Sequence, residues 1–357
     1  MWVLNDGTPF ASERTWVRDR DGTEVWVVAT RATFGIDLEG RQRLVEPQPA
    51  VSRVPRYKGR PGESSLLEES DLVSQKVATD VVVLGAAFAP GGEPVRETTV
   101  RLRVGRIDKS LRIYGERTWK RGVLGPRPGR PQPFVRMPIE YERAYGGADT
   151  IARDPRKHGC EKRNPIGMGY ARRRRHLLGR PAPNIELVGG SSGRSGRARA
   201  PGGFGPIARN WEPRLTLAGT YDESWERDRS PLLPLDYEPA FEQCAPEDQQ
   251  VSGFLRGGER VELWNMTPDG HLAFTLPKVT VGLQTHFYDG TMENHRGALH
   301  TLLILPEERQ FAMVWHSRLA CHKKVNQLRA TSVFLKHRLT IPEAEATSGV
   351  WTAELHA

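Results

Sequence analysis

The feature that most constrains this chain is a two-residue hydrophobic period that recurs wherever the sequence is apolar, with no helical period sustained over three turns. In Thr99-Val100-Arg101-Leu102-Arg103-Val104 the apolar residues alternate with polar ones, so one face meets a core and the other meets water. The same spacing places Leu272, Phe274 and Leu276, and then Val279, Val281 and Leu283, on single faces. Segments 24–34 and 81–87 are apolar without alternation and read as strands buried on both sides. Asp21-Gly22, Asp269-Gly270 and Asp289-Gly290 lie between such runs and supply the positive φ of tight hairpin turns. The expected fold is mainly β, with antiparallel sheets, sandwich or barrel-like, at both ends and a long loop-rich middle.

Residues 1–135 thus read as an N-terminal antiparallel region, 136–235 as a Gly/Pro/Arg-rich segment packed on the sheets, and 236–357 as a C-terminal antiparallel region. Within the middle, the tract 189–197 is too poor in apolar groups to bury anything and is expected to be disordered. The stretch holding Trp211, Tyr221 and Trp225 has large rings to place and is expected to be ordered. The longest apolar run, 81–89, is half of what a bilayer crossing needs, and no basic segment followed by an apolar one opens the chain. Cys160, Cys244 and Cys321 are odd in number and far apart, as in a reducing compartment. The expectation is a cytoplasmic protein with free thiols.

Charge is uneven. The net charge is +9, and residues 151–200 carry 13 basic side chains against three acids. Residues 221–250 reverse the balance, with nine acids against Arg227 and Arg229. These stretches either neutralise each other or present two faces to two partners.

Most chemistry-bearing patterns fail on context. Gly189-x-Ser191-x-Gly193 matches a nucleophile elbow, yet nothing after it can start the helix that elbow requires. His286, His295, His300, His316 and His322 lack metal-ligand spacing, and no phosphate-binding glycine loop occurs, so neither metal nor cofactor is expected. Glu140, Glu142 and Asp149 could form an acid/base pair, and with them or the C-terminal histidines as its site an enzyme acting on a glycan or peptide is kept as the alternative. Arg172, Arg173, Arg174 and Arg175 form a basic run without the interleaved aromatics of a nucleic-acid binder, making that a weaker alternative.

What remains are polar–aromatic clusters rich in turn glycines: Tyr141-Glu142-Arg143-Ala144-Tyr145-Gly146-Gly147-x-Asp149, Gly203-Phe204-Gly205-Pro206 and Ala218-Gly219-Thr220-Tyr221-Asp222-x-x-Trp225. Arg, Tyr and Trp anchor interfaces, and the same residues in a core would read identically. The candidate partner-binding set is Tyr141, Arg143, Tyr145, Asp149, Arg172, Arg173, Arg174, Arg175, Trp211, Tyr221, Asp222 and Trp225.

Together with Lys76-x-x-Thr79-Asp80-Val81, Asn164-Pro165-x-Gly167-x-Gly169, Pro183-Asn184-x-Glu186, Ala245-Pro246-x-Asp248-Gln249 and Gly257-Gly258-Glu259, these clusters resemble, in register, the bacterial family called domain of unknown function 2169. The resemblance runs from about residue 20 to 320. It implies a non-catalytic adaptor or chaperone of type VI secretion, which binds a secreted effector and helps load it onto the spike protein or its tip. It implies protein partners and carries no catalytic residue; on the residues themselves no membrane or small-molecule partner is expected, and nucleic acid stays the weaker alternative.

Overall fold

The computed structural model describes residues 2–188, 200–322 and 325–337, so the tract 189–197, expected to be disordered, lies outside the described residues. The chain is mainly β, built from several mixed and antiparallel sheets, with no closed barrel and one α-helix, Glu223–Asp228, among the described residues. No helix among the described residues is long and apolar enough to cross a membrane.

A seven-stranded sheet forms the middle layer. Its order runs Gln250–Ser252, Ala78–Val83, Ala298–Leu305, Gln310–Ala320, Glu24–Ile36, Ala11–Arg18, with Gln42–Leu44 added beside Glu24–Ile36. Strands from the first and last thirds of the chain are therefore interleaved in one sheet. The strands Glu24–Ile36 and Ala78–Val83 are almost wholly buried, as their unbroken apolar runs predict. A five-stranded sheet contains Glu97–Val104 between Ile107–Tyr114 and Arg260–Trp264. In it Val100, Leu102 and Val104 are fully buried while Thr99 and Arg103 face solvent.

The three Asp-Gly pairs close hairpins as expected. Gly22, Gly270 and Gly290 take φ of 79°, 80° and 86° between Ala11–Arg18 and Glu24–Ile36, Arg260–Trp264 and His271–Thr275, and Val281–Phe287 and Met292–Arg296. Not every pair is antiparallel, however. Ala78–Val83 runs parallel to Ala298–Leu305, with Asp80 opposite Thr301, and Val3–Asp6 runs parallel to Leu328–Leu335. Hundreds of residues separate these partners, so no local turn sets their direction.

One face of the middle sheet packs on the five-stranded sheet. Phe311 stacks on Phe34 within its own sheet at 5.0 Å and on Phe274 of the other at 4.6 Å, with Val81, Leu302 and Met313 in the same cluster. Trp26 donates its indole N–H to Thr331 Oγ1 at 3.0 Å, tying in the four-stranded sheet. The opposite face is covered by the loops around 45–76 and 206–249, which bring Val51 against Ala29 and Val314, and Cys244 against Val82 and Leu303.

Charges are buried beneath that cover. Asp80, with no exposure, accepts from Lys76 Nζ at 2.7 Å, Gln243 Nε2 at 2.8 Å and the Cys244 backbone N–H at 2.8 Å. Lys76 also donates to Thr301 Oγ1 at 2.9 Å. Arg31 pairs with Glu68 and Asp71, and Glu69 pairs with Arg209 and Arg214. A cavity of about 20 Å³ among Arg31, Glu69, Asp71, Lys76 and Thr301 has room for a single water. The Lys76-x-x-Thr79-Asp80 pattern thus fixes the covering layer to the sheet, and Thr79 Oγ1 adds an acceptor for the Leu255 N–H at 2.9 Å.

Candidate partner-binding surfaces

The glycine-rich motifs interlock. Asn164, fully buried, donates Nδ2 to the carbonyls of Tyr141 at 2.7 Å and Tyr145 at 3.1 Å, and its own carbonyl accepts from Gly147 at 2.8 Å. A Cβ on Gly146 would lie 2.1 Å from the Asn164 carbonyl oxygen, and one on Gly147 would lie 2.3 Å from that of Gly167. Only glycine permits this approach, which sets Tyr145-Gly146 in parallel beside Met168-Gly169.

This knot positions Asp149. Its carboxylate, nearly fully buried, accepts from the Arg172 N–H at 2.9 Å, His176 Nδ1 at 2.8 Å and the Ile151 N–H at 3.3 Å. Burial pushes its pKa up, but the bonds from His176 and the backbone outweigh that and hold it below the usual aspartate value. Asp149 is therefore a clamp on the start of the turn Arg174–Leu177. With that turn fixed, the side chains of Arg172, Arg173, Arg174 and Arg175 all stand in solvent. Arg172 Nη1 reaches the His158 carbonyl at 3.3 Å and Arg174 Nη2 the Pro126 carbonyl at 3.4 Å. No carboxylate among the described residues pairs with any of the four. Arg143 is occupied by Glu116 and by Asn184 Oδ1 at 3.4 Å, and Tyr145 is half-buried beside it.

Beside the arginines stands a hairpin that the sequence reading missed, Trp119–Gly122 paired with Gly125–Pro128. Each arm has four residues, too few for periodicity to register, and the signal available was Gly122-Val123-Leu124-Gly125 between basic residues. Trp119 seals its base against Leu177 and Ala182, so hairpin and arginine run form one unit.

The acidic stretch builds a separate lobe. Asp222 caps Glu223–Asp228, its Oδ1 accepting from the Trp225 N–H at 2.9 Å, and Glu223 and Glu226 lie in the first turn where the helix dipole favours them. Asp222 thus acts first as a cap. Trp225 donates its indole N–H to the Leu232 carbonyl at 2.8 Å and meets Tyr221 edge-on at 4.7 Å. Tyr221, Leu215 and Leu235 are exposed by 55%, 53% and 73%, amid Asp222, Glu223, Glu226, Asp228 and Glu238. No ion pair among the described residues joins segment 151–200 to segment 221–250, so the two stretches do not neutralise each other.

Two expected contact residues are in the core instead. Trp211 is fully buried and meets Tyr141 edge-on at 5.4 Å, and Tyr141 donates its hydroxyl to the Gly205 carbonyl at 3.2 Å. Gly203 lies flat against the Tyr141 ring, where any side chain would clash. Neither ring can reach a partner in this fold.

The residues held for catalysis are dispersed. Glu142 accepts from the Ser65 N–H at 2.9 Å and its hydroxyl at 2.5 Å, and Glu140 pairs with Lys58 at 2.6 Å. Cys160 is exposed opposite Ala148, whereas Asp149 lies opposite Gly159, so thiol and carboxylate project from opposite faces of that short ladder. His300 stacks between Phe254 at 5.3 Å and His316 at 4.4 Å, and His295 contacts Thr285 Oγ1 at 2.8 Å and the Ser317 hydroxyl. No three His, Cys, Asp or Glu side chains among the described residues converge to hold a metal ion.

Neither a curated protein nor a solved structure matches the chain. A family model, described as an uncharacterized protein conserved in bacteria, matches residues 21–316.

Proposed function

Since the chain belongs to the domain of unknown function 2169 family, we propose that it is a non-catalytic cytoplasmic adaptor that binds a type VI secretion effector and helps load it onto the spike protein. The secretion role comes from the family resemblance. The observation that supports a carrier is a pair of oppositely charged surfaces that form no ion pair with each other: the arginine turn clamped by Asp149, and the acidic lobe bearing Tyr221 and Trp225. An exposed aromatic rimmed mainly by acids suits a protein contact, and opposite signs on two surfaces let one molecule engage two differently charged partners.

The test is co-purification of the full chain with the effector and spike proteins encoded by neighbouring genes. Replacing Arg172–Arg175 by Glu should abolish one of the two contacts and leave the other. Rising salt should weaken both. Complexes indifferent to salt and to charge reversal, or no complex with either protein, overturn the reading.

A further inference from the structure

Hairpin tips are ordinarily polar, because they are the most solvated points of a sheet and favour residues that accept positive φ. The hairpin of Trp119–Gly122 and Gly125–Pro128 breaks this pattern. Gly122 faces Gly125 in the ladder, leaving a two-residue loop of Val123 and Leu124. Both side chains are fully in water, Leu124 at 92% exposure. The turn does not require them, since its positive φ falls on Gly125, at 108°, and on neither aliphatic residue. Nor does the core, which neither touches. An aliphatic pair held in water by a well-anchored hairpin needs a reason outside folding.

The surroundings narrow that reason. Lys120, Arg121 and Arg127 on the hairpin, with Arg173, Arg174 and Arg175 on the adjacent turn, are all exposed. None pairs with a carboxylate among the described residues. The tip is convex and two residues wide, whereas a stable protein interface takes roughly 800 Å² of complementary surface from each partner. A small apolar projection inside a collar of free cations fits the headgroup region of an anionic bilayer, where the tip enters the acyl boundary and the cations meet phosphates. We propose that this hairpin attaches the protein peripherally to anionic phospholipid surfaces. A span is not required, and attachment of this kind is independent of the adaptor reading.

The experiment is co-sedimentation of the full chain with vesicles of phosphatidylglycerol mixed with phosphatidylcholine, and with phosphatidylcholine alone. Binding is expected to the first and not the second, and to fall with salt. The double substitution Val123→Asn and Leu124→Asn should lower partitioning by roughly a hundredfold, because burial of each aliphatic side chain is worth about tenfold. Arg121→Glu with Arg127→Glu should remove the preference for anionic vesicles. All four positions are exposed, and unchanged circular dichroism verifies folding. Failure of the full chain to bind phosphatidylglycerol vesicles at low salt overturns the proposal, as does binding unchanged by the tip substitutions. Equal binding of a DNA duplex by the parent and the tip variant, without vesicle binding, would assign the collar to nucleic acid. Loss of effector or spike binding on tip substitution, without vesicle binding, would assign the tip to a protein partner.

Discussion

Acid should destabilise this protein well before its carboxylates protonate, and the buried histidines are the cause. His316 is fully enclosed, stacked on His300 at 4.4 Å with Lys76 and Arg318 nearby, and burial lowers its pKa from 6.5 to about 4, countered in part by the Val73 backbone. Burial likewise takes His295 to about 4, and burial followed by the charge of a protonated His316 pushes His300 down. A base with a depressed folded pKa binds fewer protons folded than unfolded, so its stability contribution is complete above pH 6.5 and is lost as pH falls toward 4. Between pH 7.5 and 5, a shift from 6.5 to about 4 costs about 2 kcal/mol for His316 alone. His295 adds a smaller amount because it is partly solvated, and His300 acts in the same direction. Asp149 and Glu69, held below their usual values, lose their contributions only at more acid pH. Asp71, pushed up by burial, acts in the opposite sense. Urea denaturation at stepped pH measures the slope, and His316→Phe should remove about 2 kcal/mol of the acid loss while leaving neutral folding intact. Stability that is flat from pH 7.5 to 5, or an acid slope unchanged in that variant, would refute the reasoning.

Three other outcomes follow from the geometry. Lys76→Met leaves Asp80 buried without its cation and should cost about 3–5 kcal/mol in urea denaturation, with part restored by adding Asp80→Asn. Gly146→Ala forces a Cβ onto the Asn164 carbonyl and should cost on the order of 3 kcal/mol, seen as a lowered thermal midpoint. Cys160 should react with a thiol reagent in the folded protein, while Cys244, enclosed and with its thiol pKa pushed up by burial, should react only on unfolding; mass spectrometry of labelled peptides separates the two.

What could be read from the chain was what neighbours in sequence decide. Alternation in Glu97–Val104 and the Asp-Gly turns act over a few residues, and both appear where expected. The parallel pairing of Ala78–Val83 with Ala298–Leu305 depends on a meeting that no short window records. Trp211 and Trp225 look alike in sequence, since each sits among Pro, Gly and charge. Their fates differ because Gly203 makes room for the Tyr141 ring that packs on Trp211, while Asp222 starts a helix that holds Trp225 near the surface. The hairpin tip escaped notice because two aliphatic residues between glycines resemble a fragment of core.

The interleaving of early and late strands in the middle sheet also governs how the protein is made. Glu24–Ile36 finds one neighbour only in Gln310–Ala320, and Ala78–Val83 lies between Gln250–Ser252 and Ala298–Leu305. While the ribosome is still translating, these apolar segments have no permanent place to go. They must wait for nearly the whole polypeptide to emerge, which favours slow maturation, dependence on holding factors during synthesis, and aggregation of prematurely terminated products.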